Sequence, residues 1–229
     1  MDLNKLEKIL KENNQPKFRL EQIRKAIFQD GASSFLEIST ISKDLRELLN
    51  KEMKILSFDV KKVLISDPAR HTSSTSNALR SDADWHSDAG GDNKSIKALL
   101  KVADNNCIET VLLSPRPNTW TACISSQVGC PLGCEFCATG KGRFKRNLTA
   151  EEITDQILFW RGYLKNIQNF PPQQDPAKAV TKFKIQNSTI SNIVYMGMGE
   201  PMLNWENVKK SVEDLVNPKL FNFCSRSIS

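Results

Sequence analysis

Cys130, Cys134 and Cys137 are the residues whose type and spacing most directly call for chemistry. They lie in Cys130-Pro131-Leu132-Gly133-Cys134-Glu135-Phe136-Cys137, a C-x3-C-x2-C run preceded by Gly129 and followed by Ala138-Thr139-Gly140. Thiolates are soft ligands, and several in one loop can converge on one soft metal centre. A four-iron cluster normally takes four cysteines. Three leave one iron with an open position, as a metal site needs for chemistry rather than scaffolding. Gly129 and Gly133 allow the backbone to bend so that the sulfurs face inward, and Pro131 stiffens the arc. Two other readings compete. Structural zinc takes four ligands, mostly as paired C-x2-C units; only Cys134 and Cys137 form such a pair, with no His nearby. Plain buried cysteines are the other alternative, although three rarely fall at this spacing by accident.

Other residues with chemical potential are scattered. Lys141, Arg143, Lys145 and Arg146 form a basic run with Phe144 among them, suited to phosphate contact and base stacking or simply to a solvated loop. Both histidines, His71 and His86, fall in the polar stretch 67–94. His86 with Asp82, Asp84 and Asp88 is a conceivable metal site, but a flexible polar loop is the stronger reading.

The 229 residues suit one large or two small domains. At 39% hydrophobic and 25% charged, the composition is that of a water-soluble globular protein. The net charge of +6 suits a polyanionic partner such as RNA, and equally a generically basic protein. The first residues lack the apolar stretch of a signal peptide, and no run reaches membrane-spanning length. Six cysteines, three of them clustered, point to metal and redox chemistry in a reducing cytoplasm rather than to a disulfide framework.

The elements that must position these groups follow from periodicity. Leu3, Leu6, Ile9 and Leu10 predict a helix over 3–13 that ends at Asn13-Asn14-Gln15-Pro16. A second helix places Phe18, Ile23, Ala26 and Ile27 on one side, and a third near 42–53 carries Leu45, Leu48, Leu49 and Met53. Lys17, Arg19, Arg24, Lys25, Lys43 and Arg46 occupy the exposed faces of this module, as an RNA patch or as solvated charge among acidic neighbours. Residues 54–66 read as a strand, and 96–102 with 108–113 as a β-hairpin. Thr119–Ser126 is a strand leading into the cysteine loop. Thr149-Ala150-Glu151-Glu152 is a capping box. It opens a helix with Ile153, Ile157, Trp160 and Leu164 on its apolar face, and Phe170-Pro171-Pro172-Gln173-Gln174 makes a connection. Ile193–Met196 is a short strand ending in Gly197-Met198-Gly199-Glu200-Pro201; Asn204 is placed to cap the next helix, and Arg226–Ser229 begins another strand. Alternating strands and helices predict a parallel barrel or sheet. Both the cysteine loop and the 197–201 loop follow strands, so they share the C-terminal face where such barrels keep their active sites.

The cysteine run resembles the signature of the radical S-adenosylmethionine (SAM) superfamily. Longer stretches narrow the resemblance to its RlmN family, adenosine-C2 RNA methyltransferases of dual specificity. They are Cys123-Ile124-Ser125-Ser126-Gln127-Val128-Gly129-Cys130, Cys137-Ala138-Thr139-Gly140, Asn147-Leu148-Thr149-Ala150-Glu151-Glu152-Ile153, Met196-Gly197-Met198-Gly199-Glu200-Pro201 and Ile108-Glu109-Thr110-Val111-Leu112. The resemblance covers most of the chain except 67–94. It implies an α/β fold: a partial radical-SAM (β/α) barrel over 119–229, preceded by a helical RNA-binding accessory domain at 1–53. Between them would lie a β-hairpin linker region, 54–118.

The resemblance also implies roles. Cys130, Cys134 and Cys137 would bind a [4Fe-4S] cluster whose open iron chelates SAM. Gly199, Glu200 and Pro201 would hold the methionine end of SAM. The family's scheme uses one SAM to methylate a cysteine near the C-terminus and a second to generate the radical that activates that methyl group. Cys123 occupies the position of the cysteine that resolves the protein–RNA adduct, and Glu109 that of the candidate proton acceptor. Expected partners are ribosomal and transfer RNA and an external flavodoxin-like electron donor, with no membrane, and the protein is expected to be a cytoplasmic monomer. The family's chains continue well past Ser229, so a C-terminally truncated chain lacking the methyl-carrying cysteine is implied. Cys107 and Cys224 match no family site and read as structural. Two further readings are kept: the related Cfr-type methylation of adenosine C8, and a fragment that binds RNA or a cluster without turnover.

Overall fold

The computed structural model describes residues 1–66, 94–116, 119–166 and 189–229. The polar insertion with its two histidines, except Lys94, and the proline-containing connection lie outside them.

The N-terminal helices form where periodicity places them: α1 at Leu3–Glu12, α2 at Phe18–Arg24 running into a wider turn at Lys25–Gln29, and α3 at Lys43–Glu52. Asp2 and Ser42 cap α1 and α3 by accepting backbone N–H groups from Lys5 and Leu45. Ile23 and Ile27 are buried, but Phe18 is 54% exposed beneath the Arg19 guanidinium, against expectation. It sits at the first residue of α2, before that helix turns its apolar side inward.

One five-stranded sheet follows, in the order β1-β2-β3-β4-β7. Its members are β1 (Phe58–Ser66), β2 (Lys94–Val102), β3 (Cys107–Arg116), β4 (Thr119–Cys123) and β7 (Thr189–Val194). The first four are antiparallel neighbours; β4 and β7 are parallel. The predicted hairpin is β2–β3, with Asn105 in a left-handed conformation in its turn. Between β4 and β7 run a small ribbon, β5 (Gln127–Val128) with β6 (Arg146–Asn147), and helix α4 (Ala150–Asn166). Helix α5 (Trp205–Val216) follows β7. At Arg226–Ser229 the expected strand is only begun. A short 3-10 turn precedes Ile228, which bridges to Ile193 in parallel, and Ser229 exchanges backbone hydrogen bonds with Ile193 and Tyr195.

The two faces of the sheet differ. Ile96, Ala98, Leu100, Ile108, Leu112, Trp120, Ala122 and Ile193 are buried on one face, the face on which Thr110 meets Trp160 of α4. By strand alternation, Lys97, Glu109, Val111, Thr121 and Cys123 occupy the opposite face, where they are half-buried or exposed. Helix α4 keeps its predicted apolar residues inside and also buries Glu152, Thr154, Asp155 and Gln156. It lies between the sheet, α5 and the N-terminal helices. Trp160 donates to Thr110 on β3 (2.9 Å), and Arg161 donates to the carbonyls of Phe28 and Phe221. Burial without a carboxylate lowers the Arg161 pKa to about 10. Asp155 accepts from the Ser57 backbone and pairs with the Met1 ammonium, while burial pushes its carboxyl up. One apolar core therefore runs through the N-terminal helices and the sheet alike.

Candidate active site

The site is built where β4 and β7 end. From β4 the chain passes through Ile124-Ser125-Ser126 into β5, and then into the cysteine loop. From β7 it passes through Tyr195 and Met196 into Gly197–Pro201. The two exits lie directly against each other. The N–H groups of Ser126 and Gln127 both point to the Met198 carbonyl (2.9 and 3.2 Å), and the Gly197 N–H donates to the Ile124 carbonyl (3.0 Å). Gly199 has φ +99°, and a Cβ there would come within 2.5 Å of the Gln127 Cβ. No side chain fits between the segments, which is the physical need for glycine at this position.

The loop with the three cysteines leaves this platform and returns through β6. Its stem is closed by β5–β6 pairing and by the Lys145 N–H donating to the Val128 carbonyl (2.9 Å). Gly129, at φ +77°, presses on the returning strand: a Cβ there would lie 2.4 Å from the Arg143 carbonyl oxygen. Beyond the stem the arc is open. Cys130 and Cys137 are half-buried, Cys134 is exposed, and Leu132 and Phe136 project outward at 54% and 93% exposure. Backbone hydrogen bonds from Gly140 and then Thr139 lower the Cys137 pKa, although burial opposes them. All six cysteines are free thiols. Among the described residues, no three His, Cys, Asp or Glu side chains are gathered as a ready-made metal site. The donor set nonetheless fits an iron–sulfur cluster: three thiols on one glycine-hinged arc, one of them with its pKa lowered by backbone hydrogen bonds, and no hard oxygen ligand among them.

Glu109 and Cys123 share the open face of the sheet. Cys123 pairs with Val111 across the β3–β4 ladder, and Glu109 lies two residues from Val111. The Cys123 carbonyl accepts from the Thr110 hydroxyl (2.8 Å), itself held by Trp160, so a core tryptophan fixes the strand end that carries this thiol. Burial raises the Cys123 pKa, opposed by a hydrogen bond from the Met196 backbone. Glu109 pairs with Lys97 at 2.9 Å on a half-exposed surface, while its backbone N–H faces the Met198 sulfur at 3.3 Å. The Ser125 hydroxyl bridges the Glu109 carbonyl (2.5 Å) and the Met198 N–H (2.8 Å). Glu200 turns its carboxylate to the Met202 N–H at 3.0 Å, capping the 3-10 turn that begins at Pro201.

Two expectations change. Asn204 makes no capping hydrogen bond for α5. Its amide instead donates to the Ser126 and Leu148 carbonyls (2.7 and 2.8 Å), joining both sides of the cysteine-loop stem. Arg146 is turned inward from the basic run. It grips Glu152 with two parallel hydrogen bonds (2.7 and 2.8 Å) and Asp104 in the hairpin turn at 2.5 Å. This fork is the geometry guanidinium favours for carboxylates. The same Glu152 completes the predicted capping box with Thr149. Lys141, Arg143, Phe144 and Lys145 remain exposed. Among the N-terminal basic residues, Arg19 and Arg46 hold backbone carbonyls of Thr40 and Leu36, Arg24 pairs with Glu21 and Lys43 with Glu47.

Sequence reasoning missed Gln156 and the locking role of Ser125, Gln127, Asn147 and Asn204. Gln156 on α4 exchanges two 2.9 Å hydrogen bonds with the Ser125 backbone. A signal existed, since Ser125-Ser126-Gln127 is an uncharged polar run between apolar segments, as expected of buried and satisfied polar groups.

A partial α/β barrel with a three-cysteine loop at the C-terminal edge of its parallel strands is a radical SAM architecture. A crystal structure of a radical SAM methyltransferase from Sphaerobacter thermophilus superimposes on the whole chain and on 54% of its own, with TM-score 0.70 and 28% identity. Sequence comparison points the same way. Residues 1–55 match the family described as the ribosomal RNA large subunit methyltransferase N-terminal domain. A probable dual-specificity RNA methyltransferase RlmN of Chlorobium phaeobacteroides is 37% identical across 94% of this chain and 49% of its own length. The corresponding protein of Syntrophomonas wolfei is 34% identical across 100% and 54%, and the dual-specificity RNA methyltransferase RlmN of Syntrophus aciditrophicus is 31% identical across 100% and 53%. The chain is similar to these RNA methyltransferases along nearly its whole length and spans about half the length of the curated relatives it matches. Among the described residues, no helix is long and apolar enough to cross a membrane.

Proposed function

We propose that this chain carries the cluster- and SAM-binding part of an RlmN-type methyltransferase, which methylates carbon 2 of adenosine in large-subunit (23S) ribosomal RNA and in tRNA. One observation carries the reading. Two loops of the expected chemistry leave adjacent parallel strands and are hydrogen-bonded to each other at their roots, beside a sheet face bearing Cys123 and Glu109.

Carbon 2 of adenine is electron-poor and does not attack a methyl donor, so the cofactor must carry the difficult step. A [4Fe-4S] cluster with SAM supplies one-electron chemistry when bound. Cys130, Cys134 and Cys137 would hold the cluster; Gly199, Glu200 and Pro201 would receive the methionine end of SAM, with Gly199 allowing close approach and Glu200 offering a carboxylate to its ammonium. Burial raises the Cys123 pKa and so disfavours its thiolate, as suits a thiol that acts late, on an adduct. Glu109 presents a carboxylate on the same face, able to accept a proton from the base. Exposed Phe144, with Lys141, Arg143 and Lys145, supports RNA contact by stacking and phosphate pairing. Residues 1–53 act as an RNA-binding accessory domain, 54–118 as the hairpin region and 119–229 as the beginning of the catalytic barrel. An external flavodoxin-like protein supplies electrons, and the protein works as a monomer in the reducing cytoplasm.

Anaerobic reconstitution with iron and sulfide tests the reading. The parent chain should bind a cluster, and Cys130→Ala, Cys134→Ala and Cys137→Ala should each lose its absorption. Full iron and sulfide content in all three variants would overturn the assignment. Nucleoside mass analysis of RNA incubated with SAM, reductant and an active relative separates 2-methyladenosine from the 8-methyladenosine of a Cfr-type enzyme.

A further inference from the structure

We propose that Gln127 is a positioning residue that makes the cysteine-loop stem and the 197–201 loop one mechanical unit; its consequence for SAM rests on the functional reading above. Gln127 is 1% exposed. Its amide is used at both ends: Oε1 accepts the Glu200 N–H (2.9 Å), and Nε2 donates to Asn147 Oδ1 (2.8 Å). Glu200 lies on the loop assigned to SAM. Asn147 lies on β6, the strand by which the cysteine loop returns. Gly199 rests against the stem of the same glutamine, leaving no room for it to turn away. The Gln127 N–H also supports the Met198 carbonyl, so backbone and side chain hold the same loop.

The chemistry of the amide explains the choice of residue. One neutral side chain must accept from a backbone N–H and donate to a side-chain oxygen while buried. Glutamine does both without a charge, whereas a carboxylate would bury charge and a methionine of similar volume would leave the half-buried Glu200 N–H without its acceptor and Asn147 without its donor. Ser125 and Gln156 brace the preceding residues, and Asn147 and Asn204 tie the stem to the turn after Pro201, whereas Gln127 joins the 197–201 loop to β6 through both ends of one side chain. A shift at either loop is therefore transmitted to the other, and capture of SAM at Glu200 is felt at the cysteine-loop stem.

Amide hydrogen exchange of the 229-residue chain, with Gln127→Met, Asn147→Leu and Asn147→Asp beside the parent, tests this. In Gln127→Met, exchange should accelerate by about ten-fold at Glu200 and also at Leu148, whose N–H is bonded to the Ser126 carbonyl. Asn147→Leu removes the outer acceptor without touching the buried residue and should accelerate the same pair. Asn147→Asp keeps an acceptor for Gln127; like Asn147→Leu it loses the longer bond from the Asn147 amide to the exposed Leu203 carbonyl (3.4 Å), so the difference between the two variants isolates the Gln127 contact, and Asn147→Asp should behave as the parent. Acceleration confined to Glu200, or equal behaviour of the two Asn147 variants, would overturn the proposal. The reconstituted Gln127→Met chain should keep its iron and bind SAM about ten-fold more weakly, as the loss of one well-placed hydrogen bond implies. The exchange measurement needs neither cluster nor SAM. It decides the role of Gln127 even where the parent fails to bind SAM, a result that would instead overturn the functional reading.

Discussion

Two loops leave neighbouring parallel strands of this sheet, and they are built in opposite ways. Among the described residues, the cysteine loop is anchored at its stem, by the β5–β6 ribbon, the Gly129 contact, the Arg146 fork and Asn204; its arc from Pro131 to Phe136 is exposed. The 197–201 loop is held along its length by Ile124, Ser125, Ser126 and Gln127. The difference matches the ligands proposed for them. A bulky cluster must be wrapped by its cysteines, so the arc keeps freedom while its ends are set. A small zwitterionic end of SAM is best met by groups already in place, because preorganisation lowers the entropic loss on binding.

The comparison can be broken most severely at the glycines. Gly199→Ala places a Cβ into Gln127 at a positive φ and should destabilise by about 3 kcal/mol or more. Gly133→Ala, on the open arc, meets nothing within 4 Å and carries only the strain of φ +62°, about 1 kcal/mol. Urea unfolding of both variants measures the contrast, and equal losses would refute it.

Asn204→Ala removes two hydrogen bonds from buried carbonyls at the stem and should cost about 2 kcal/mol. A loss within error in thermal unfolding would show that the stem does not depend on it.

Arg146→Met should cost about 1–2 kcal/mol, allowing for partial exposure of the cluster. It should also alter the acid limb. The Arg146 guanidinium lowers the Asp104 pKa from 3.8 to about 2 in the folded protein. The stabilisation from this pairing is complete above about pH 4 and is lost as pH falls towards 2. Stability curves across this window should be steeper for the parent than for Arg146→Met; identical slopes would exclude the coupling.

The smallest effect is expected at Glu109. Its pairing with Lys97 is half-exposed, so Glu109→Gln should change stability by less than about 0.5 kcal/mol. A larger loss by urea unfolding would give this carboxylate a structural part.

Legibility in the sequence followed the same division. Periodicity placed the helices, the hairpin and both strand-to-loop exits, because burial of one face imposes its period on each element. The capping box at Thr149 was local and readable. What remained hidden was non-local. Nothing near Arg146 in sequence marks Asp104, more than forty residues away, as its partner. Asn204 has the composition of a helix cap, yet its amide is taken by two carbonyls from distant segments. Cys123 could be placed on a strand, but its support from Trp160 through Thr110 exists only once α4 is laid on the sheet.

The central claim is that the cysteine loop and the 197–201 loop form one site for a cluster and SAM. Electron paramagnetic resonance of the reconstituted, reduced chain tests it most directly. The account predicts a cluster signal whose g-values shift on adding SAM, with the shift lost in Gly199→Ala and the signal lost in Cys134→Ala. A cluster signal in the parent chain that SAM leaves unchanged would contradict it.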